Sequence, residues 1–453
     1  MVIWRRRAHR SAPVADRPDA ARTRGVTVGL SWVAVCIVVS GVLTYGYQAL
    51  VARAVPVADY GWFGSYWSLA LVIGFGAFLP VELELARLLQ QRPAGARLPA
   101  GTLRTVLGLT GLSTGCLLLA SPRLVAALGD DAAFLLALLC ICVISAGQFL
   151  VRGLLLGTGR LRTHGTVLLV DSGLRVVLAL TLARSAPDAD GGSYAWTLVA
   201  AMGLAHLPLL GWLLLRRRPA PREPGERGDP GAGTFVRAVG HLLVGSLCAQ
   251  ALLNAAPVLI TALAAPGEEV RAAQFVASFT LVRLPLFVAV PLQSAMIPAL
   301  VQLQAEEDGR RLAGLLRRGL AAVVLLGAAA AAIGLWLGPW VVRLVFGDAY
   351  ALPGSEIAVL AVGSVLHLGL LVAGQALLAA GRHRAVAAVW IAGLLAACLC
   401  LLLVPDLVLR AALAFTGGSG VALACAVVAL LRHHATRAEA VARASATGPE
   451  GRS

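Results

Sequence analysis

Long apolar stretches alternate with short polar ones along the whole chain. Twelve of the stretches approach the roughly 20 apolar residues that a helix needs to cross a bilayer. They cover about residues 26–51, 61–79, 102–119, 132–150, 165–182, 194–215, 242–263, 272–297, 320–337, 357–378, 385–404 and 411–431. The pattern predicts an all-α integral membrane protein of about twelve transmembrane helices.

The polar punctuation repeats. Arg53-Ala-Val-Pro56-Val-Ala-Asp59 precedes a segment with Ser68, Leu71 and Val72, and Pro266 and Glu269 precede one with Ser278, Leu281 and Val282. Pro122 leads to Gly129-Asp130 as Pro339 leads to Gly347-Asp348, and Gly159-Arg160-Leu161-Arg162 returns as Gly381-Arg382-His383-Arg384. The offsets drift from about 210 to about 222 residues, in the same order and at equivalent points between apolar runs. Duplicated six-helix halves follow: two pseudo-symmetric lobes around a central cavity. This is the architecture of an alternating-access transporter, with its site near the midplane between the halves.

Composition agrees with a membrane solvent. Apolar residues make up 58% of the 453 and charged residues 13%, against about 25% charged in ordinary soluble domains. All 38 basic residues are arginine. The absence of lysine removes a Walker A loop and a Schiff-base lysine. With both termini inside, 30 arginines fall in cytoplasmic segments and six in outer connections, namely Arg53, Arg123, Arg184, Arg271, Arg343 and Arg410; Arg175 and Arg283 fall within spans. The bias follows the positive-inside rule, so the formal charge of +15 is topological and no nucleic-acid partner is expected. The expected place is the cytoplasmic membrane. The expected order is an Arg-rich cytoplasmic N-terminus (1–24), an N-lobe (25–215), a Pro/Gly-rich cytoplasmic linker (216–234), a C-lobe (235–431) and a cytoplasmic tail (432–453). An apolar run of about 26 residues is too long for a signal-peptide core, so the first helix is read as uncleaved.

Charged residues inside spans carry the candidate chemistry, because each costs roughly 2.5–3.5 kcal/mol at the bilayer centre on insertion scales. Arg283 lies mid-span, and Pro285 and Pro291 follow it. It reads as an anion-binding arginine facing the central cavity, or as a structural arginine bonded to the carbonyls that the prolines free. Asp171 and Arg175 share a helix face four residues apart and can pair. Glu82 and Asp171 are the candidate ion-coupling acids, and Glu84 is within reach of Arg87. Gln250 and Asn254 are polar cavity candidates or interhelical contacts. His206 and His367 read as core histidines. The eight cysteines lie in apolar spans and read as small buried hydrophobes. Asp130-Asp131 reads as a turn. No catalytic residue, metal or cofactor is expected.

Three stretches carry a family resemblance. Val51-Ala-Arg53-Ala-Val-Pro-Val-Ala-Asp59-Tyr60-Gly61-Trp-Phe63 resembles the opening of polysaccharide flippases in the multidrug/oligosaccharidyl-lipid/polysaccharide exporter superfamily. Gly338-Pro-Trp-Val-Val-Arg-Leu-Val-Phe346-Gly347-Asp348-Ala-Tyr350 resembles its turn after the ninth helix. Gln375-Ala-Leu-Leu-Ala-Ala-Gly381-Arg382 resembles its tenth-helix ending. The likeness spans roughly residues 25–432 and consists of fold-level landmarks. It implies a V-shaped pair of lobes around a cationic cavity, and the flipping of an undecaprenyl-diphosphate-linked saccharide from the inner to the outer leaflet. It further implies that Arg53, Arg175 and Arg283 hold the diphosphate. The implied partners are the lipid-linked saccharide, membrane lipid and, as further candidates, polysaccharide-assembly proteins. The rivals are a cation-coupled multidrug extruder of the same superfamily, an integral-membrane glycosyltransferase or polymerase, and a transport-dead assembly scaffold. Short outer loops and no acidic catalytic pair count against the enzyme.

Overall fold

The computed structural model describes residues 17–92, 98–216, 232–286 and 309–446, which contain helices and turns and no strand. In hydrocarbon every backbone N–H and C=O needs an internal partner, and the helix supplies them within one segment. The helices are α1 (Arg17–Ala54), α2 (Val57–Leu71), a π-helical stretch (Val72–Phe78), α3 (Leu79–Gln90), α4 (Thr102–Leu119), α5 (Ser121–Ala127), α6 (Ala132–Gly157), α7 (Leu161–Ser185) and α8 (Gly191–Arg216). After residues 217–231 come α9 (Ala232–Leu263), α10 (Glu269–Val282), α11 (Gly309–Trp336), α12 (Gly338–Phe346), α13 (Gly354–Ala379), α14 (His383–Leu403) and α15 (Leu407–Ala446).

Among the described residues, eleven helical segments are long and apolar enough to cross a membrane. One of them joins α2, the π stretch and α3 over Val57–Gln90. The remaining expected span, the eighth (272–297), begins with α10 and a turn at Arg283; the part beyond Leu286, and most of the expected interlobe linker, lie outside the described residues. Leu107 and Leu112 on α4, Val324 and Leu325 on α11 and Leu402 on α14 point outward, as side chains solvated by lipid do.

The two halves pack alike. In the first, α1 lies on α7 and α8 on α6; in the second, α9 lies on α14 and α15 on α13. The repeated Gly-Arg is a helix end in both. Gly159 and Gly381 stand at φ +70° and +71°. Arg160 N–H donates to the Leu155 carbonyl at 2.8 Å and Arg382 N–H to the Leu377 carbonyl at 2.9 Å, so each closes a Schellman motif. The Arg160 guanidinium then lies over Trp212 of α8, and Arg382 reaches His433 at the matching place on α15. Pro122 and Pro339 each open a short helix, α5 and α12, where a missing N–H costs nothing. Asp131 caps α6 by accepting from Ala133 N–H at 2.8 Å, which accounts for the acidic pair as turn and cap.

The halves meet through α2, which packs on α10 and α9. Gly61 and Gly64 make that approach possible: a Cβ on Gly61 would lie 3.1 Å from the Ala273 Cβ, and one on Gly64 would overlap Val276. On the face opposite the start of α1, hereafter the distal face, Tyr60, Phe346 and Tyr350 form an aromatic cluster between the halves.

Candidate functional site

Arg283 is positioned by a helix end. Pro285 has no N–H to donate, and its ring clashes with the carbonyl of residue 281, so α10 stops at Val282 and Arg283 becomes its C-cap. The side chain is 4% exposed. Its Nη1 donates to Asn254 Oδ1 at 2.7 Å and to the Leu253 carbonyl at 3.2 Å. The guanidinium lies over the Phe279 ring, 4.5 Å from its centroid, a cation–π contact that holds the planar group in place. Asn254 in turn donates to Gln250 Oε1 at 2.8 Å. Three candidates that the sequence presents separately thus form one chain of polar groups, Gln250–Asn254–Arg283. Tyr45 of α1, Tyr60 of α2 and His367 of α13 lie within electrostatic range of the guanidinium, so it sits where the two halves meet. Among the described residues no carboxylate pairs with Arg283, and its Nε has no hydrogen-bond partner.

A second polar region lies inside the first half. Its cavity, of about 180 Å³, is bounded by residues of α1, α2, the π stretch, α6, α7 and α8, including Arg152, Asp171 and Arg175. Asp171 and Arg175 form an ion pair, and Arg175 lies 5.5 Å over the Trp67 ring. Glu82 pairs with Arg152, Oε2 to Nε at 2.9 Å, and Arg152 lies 4.9 Å over the Phe149 ring.

Three expectations need correction. Arg53, Arg175 and Arg283 do not converge. Arg53 lies on the distal face, where its Nη2 and Nε donate to the carbonyls of Leu344 and Val345, orphan acceptors in the last turn of α12. Arg175 lines the first-half cavity, whose wall does not include Arg283. Glu82 is not a free acid but pairs with Arg152, whereas the Asp171–Arg175 pair is the one the spacing predicts; a buried carboxylate without a cation would be costlier than either pair. Finally, of the eight cysteines only Cys36 and Cys142 are buried; Cys140, Cys248, Cys400 and Cys425 are half-buried, and Cys116 and Cys398 are exposed.

Arg152 is absent from the sequence-based list because the fourth span was ended at residue 150. The helix continues to Gly157, and the signal for that was present: the apolar run resumes as Leu154-Leu155-Leu156 and meets its turn residues only at Gly157-Thr158-Gly159. Among the described residues no group of three His, Cys, Asp or Glu side chains is arranged to hold a metal. Glu84 pairs with Arg87 at 2.6 Å, and His367 accepts from or donates to Ser419 at 3.1 Å.

No family model matches the chain. The uncharacterized protein Rv1510 of Mycobacterium tuberculosis is 30% identical over 291 residues, 63% of this chain and 63% of that protein. The uncharacterized protein Mb3654 of Mycobacterium bovis is 30% identical over 288 residues, 62% of each. The chain thus matches less than two thirds of the length of these relatives. Among solved structures, a multidrug resistance MATE family transporter of the MOP superfamily in its inward-facing conformation gives a TM-score of 0.62 at 15% identity, covering 90% of this chain and 96% of that one. An outward-facing conformation under the same description gives 0.55 at 16%, covering 92% and 96%. A MOP superfamily transporter from Pyrococcus furiosus, described as having a binding pocket of reverse polarity that suggests a different function, gives 0.57 at 17%, covering 91% and 96%. The chain is a multi-pass helical membrane protein with the fold of these transporters.

Proposed function

We propose that this chain is a membrane transporter that carries a lipid-linked saccharide precursor of the diphosphate type from the cytoplasmic to the outer leaflet. The fold of the solved transporters supports the first half of that reading. One observation supports the anionic substrate: Arg283, buried at the junction of the halves, bonds only neutral acceptors among the described residues and keeps its charge for a ligand. A diphosphate cannot enter hydrocarbon bare. A fixed guanidinium replaces part of its hydration by paired N–H donors while the lipid tail stays in the bilayer. Gln250 and Asn254 hold the guanidinium in position. The cytoplasmic-membrane location, with both termini inside, rests on the arginine asymmetry. Impermeant thiol reagent should therefore modify a cysteine placed at Ser185 from outside and spare one at Gly225.

A cation-coupled multidrug extruder is the second reading, favoured by the description of a solved structure that shares the fold. It is weakened because the two candidate coupling acids, Glu82 and Asp171, both face arginines.

The deciding experiment is complementation of surface glycan in a strain lacking the gene, with membrane abundance measured alongside. Arg283→Ala should abolish export at normal abundance. Arg283→Lys should restore only part of it, because a point charge does not reproduce bidentate phosphate binding. Full export by Arg283→Ala would remove the diphosphate reading, and drug efflux by the wild type without glycan export would favour the extruder.

A further inference from the structure

The first-half cavity has no part in the function proposed above, and its size and unused donors point to an occupant of their own. At about 180 Å³ it is smaller than pockets for drug-sized ligands, which run about 300–1,000 Å³, and it has room for a small ion with a few waters at roughly 30 Å³ each. Its wall holds Arg152, Arg175 and Asp171, whereas Glu82, the carboxylate that neutralises Arg152, stands outside the wall. The two arginines and their two carboxylates sum to zero, so what the wall presents is the set of guanidinium N–H groups that the pairs leave over, not a net charge.

The donors are in place for an anion. Asp171 takes the Nε and Nη2 hydrogens of Arg175, and Glu82 accepts from Arg152 Nη2 alone, the Arg152 Nε being without a hydrogen-bond partner, which leaves each five-donor guanidinium with unused N–H groups. Ser145, on the wall, is fully buried, and its Oγ has no hydrogen-bond partner; the Ser40 Oγ on the opposite wall has none either. Both guanidiniums are fixed by aromatic faces, Arg152 over Phe149 and Phe75 and Arg175 over Trp67. The π stretch contributes Gly74, where a Cβ would press on the Phe149 ring at 3.3 Å and stand 3.7 Å from the Ser145 Oγ. Space, two fixed guanidiniums with unused N–H groups and an unused buried hydroxyl thus coincide.

We propose that this cavity binds one small inorganic monoanion, of halide to phosphate size, between Arg152 and Arg175, with the Ser145 hydroxyl donating to it. The site is separate from Arg283, and its occupancy does not depend on what Arg283 carries.

The test uses the purified full chain in lipid nanodiscs, with the thermal midpoint followed as sodium gluconate is replaced at constant ionic strength by sodium chloride in one arm and sodium phosphate in the other. Gluconate, a bulky organic anion, serves as the reference. A ligand bound by the folded state alone raises the midpoint in proportion to ln(1 + [L]/Kd), so a saturable rise is expected in at least one arm, and the arms identify the anion. Ser145→Ala, which breaks no hydrogen bond between described residues, should weaken the apparent affinity about fivefold. Glu82→Gln with Arg152→Gln removes one of the two guanidiniums at unchanged net charge and leaves a neutral hydrogen-bonding pair; it should abolish the rise. Arg283→Ala should retain it, which separates this site from the transport reading. No rise in either arm, or an equal rise in wild type, Ser145→Ala and the double variant, would overturn the proposal.

Discussion

Arg53 of the first half donates through Nη2 to the Leu344 carbonyl of the second at 2.6 Å, and this bond ties the distal ends of the two halves together. Arg53 Nε reaches the Val345 carbonyl at 3.0 Å, and the Tyr350 hydroxyl donates back to the Ala52 carbonyl at 2.7 Å. The cap on α12 is thus also a clasp between lobes. Removing it with Arg53→Ala and Tyr350→Phe should shift the closed-to-open balance by about 1–2 kcal/mol, roughly five- to thirtyfold in population. Spin labels on cysteines placed at Asp188 and Asp348, in a background without native cysteines, should report a larger share of long distances. An unchanged distance distribution would show that the clasp does not hold the closed state.

The Asn254–Arg283 bond should be stabilising and coupled. Asn254→Leu leaves a buried guanidinium with one acceptor fewer, which costs about 1–3 kcal/mol. Adding Arg283→Met should recover part of that loss, because the orphaned charge goes with it. Thermal midpoints of the two single variants and the double variant measure the coupling, and strictly additive losses would contradict it.

Glu82 and Arg152 should behave as a pair. Glu82→Gln alone strands a cation within the membrane and should lower stability by about 3–5 kcal/mol, with a fall in membrane abundance. Glu82→Gln combined with Arg152→Gln should be milder. If the single variant is as stable as wild type, the carboxylate is not serving Arg152.

Gly159 and Gly381 should respond alike. Nothing lies within 4 Å of a Cβ at either position, so Gly→Ala costs only the left-handed backbone, about 1–2 kcal/mol each. Equal drops in thermal midpoint are expected, and a large inequality would argue against structural equivalence of the two helix ends.

Asp406, in the turn between α14 and α15, accepts from the Leu409 and Val408 backbone N–H groups and pairs with Arg271. The Leu409 N–H foremost holds its carboxyl below the ordinary value of 3.8. A lowered folded-state value means that its contribution is fully present above that ordinary value and is lost as pH falls through the lower one. The midpoint difference between wild type and Asp406→Asn should therefore be constant at neutral and mildly acidic pH and shrink only in strong acid. A difference that fades near pH 6 would point to another group.

What the sequence determined by itself was everything set by local spacing and by the membrane as solvent. Bilayer thickness and helix rise fix the length of an apolar run, so the spans could be read one at a time. The Asp171–Arg175 and Glu84–Arg87 pairs lie within one turn or so of helix, and the Schellman glycines recur because each half ends its fourth helix in the same way. The tertiary structure alone decided the partners of the isolated charges. Glu82 meets Arg152 across 70 positions, Asn254 meets Arg283 across 29, and Arg53 meets the Leu344 carbonyl across 291. A charge in hydrocarbon must find a partner, but periodicity carries no information about which helix supplies it. That choice is made by the close approach of α2 to α10 and of α3 to α6, and it distributes the three arginines among a clasp, an inner cavity and the junction between the halves.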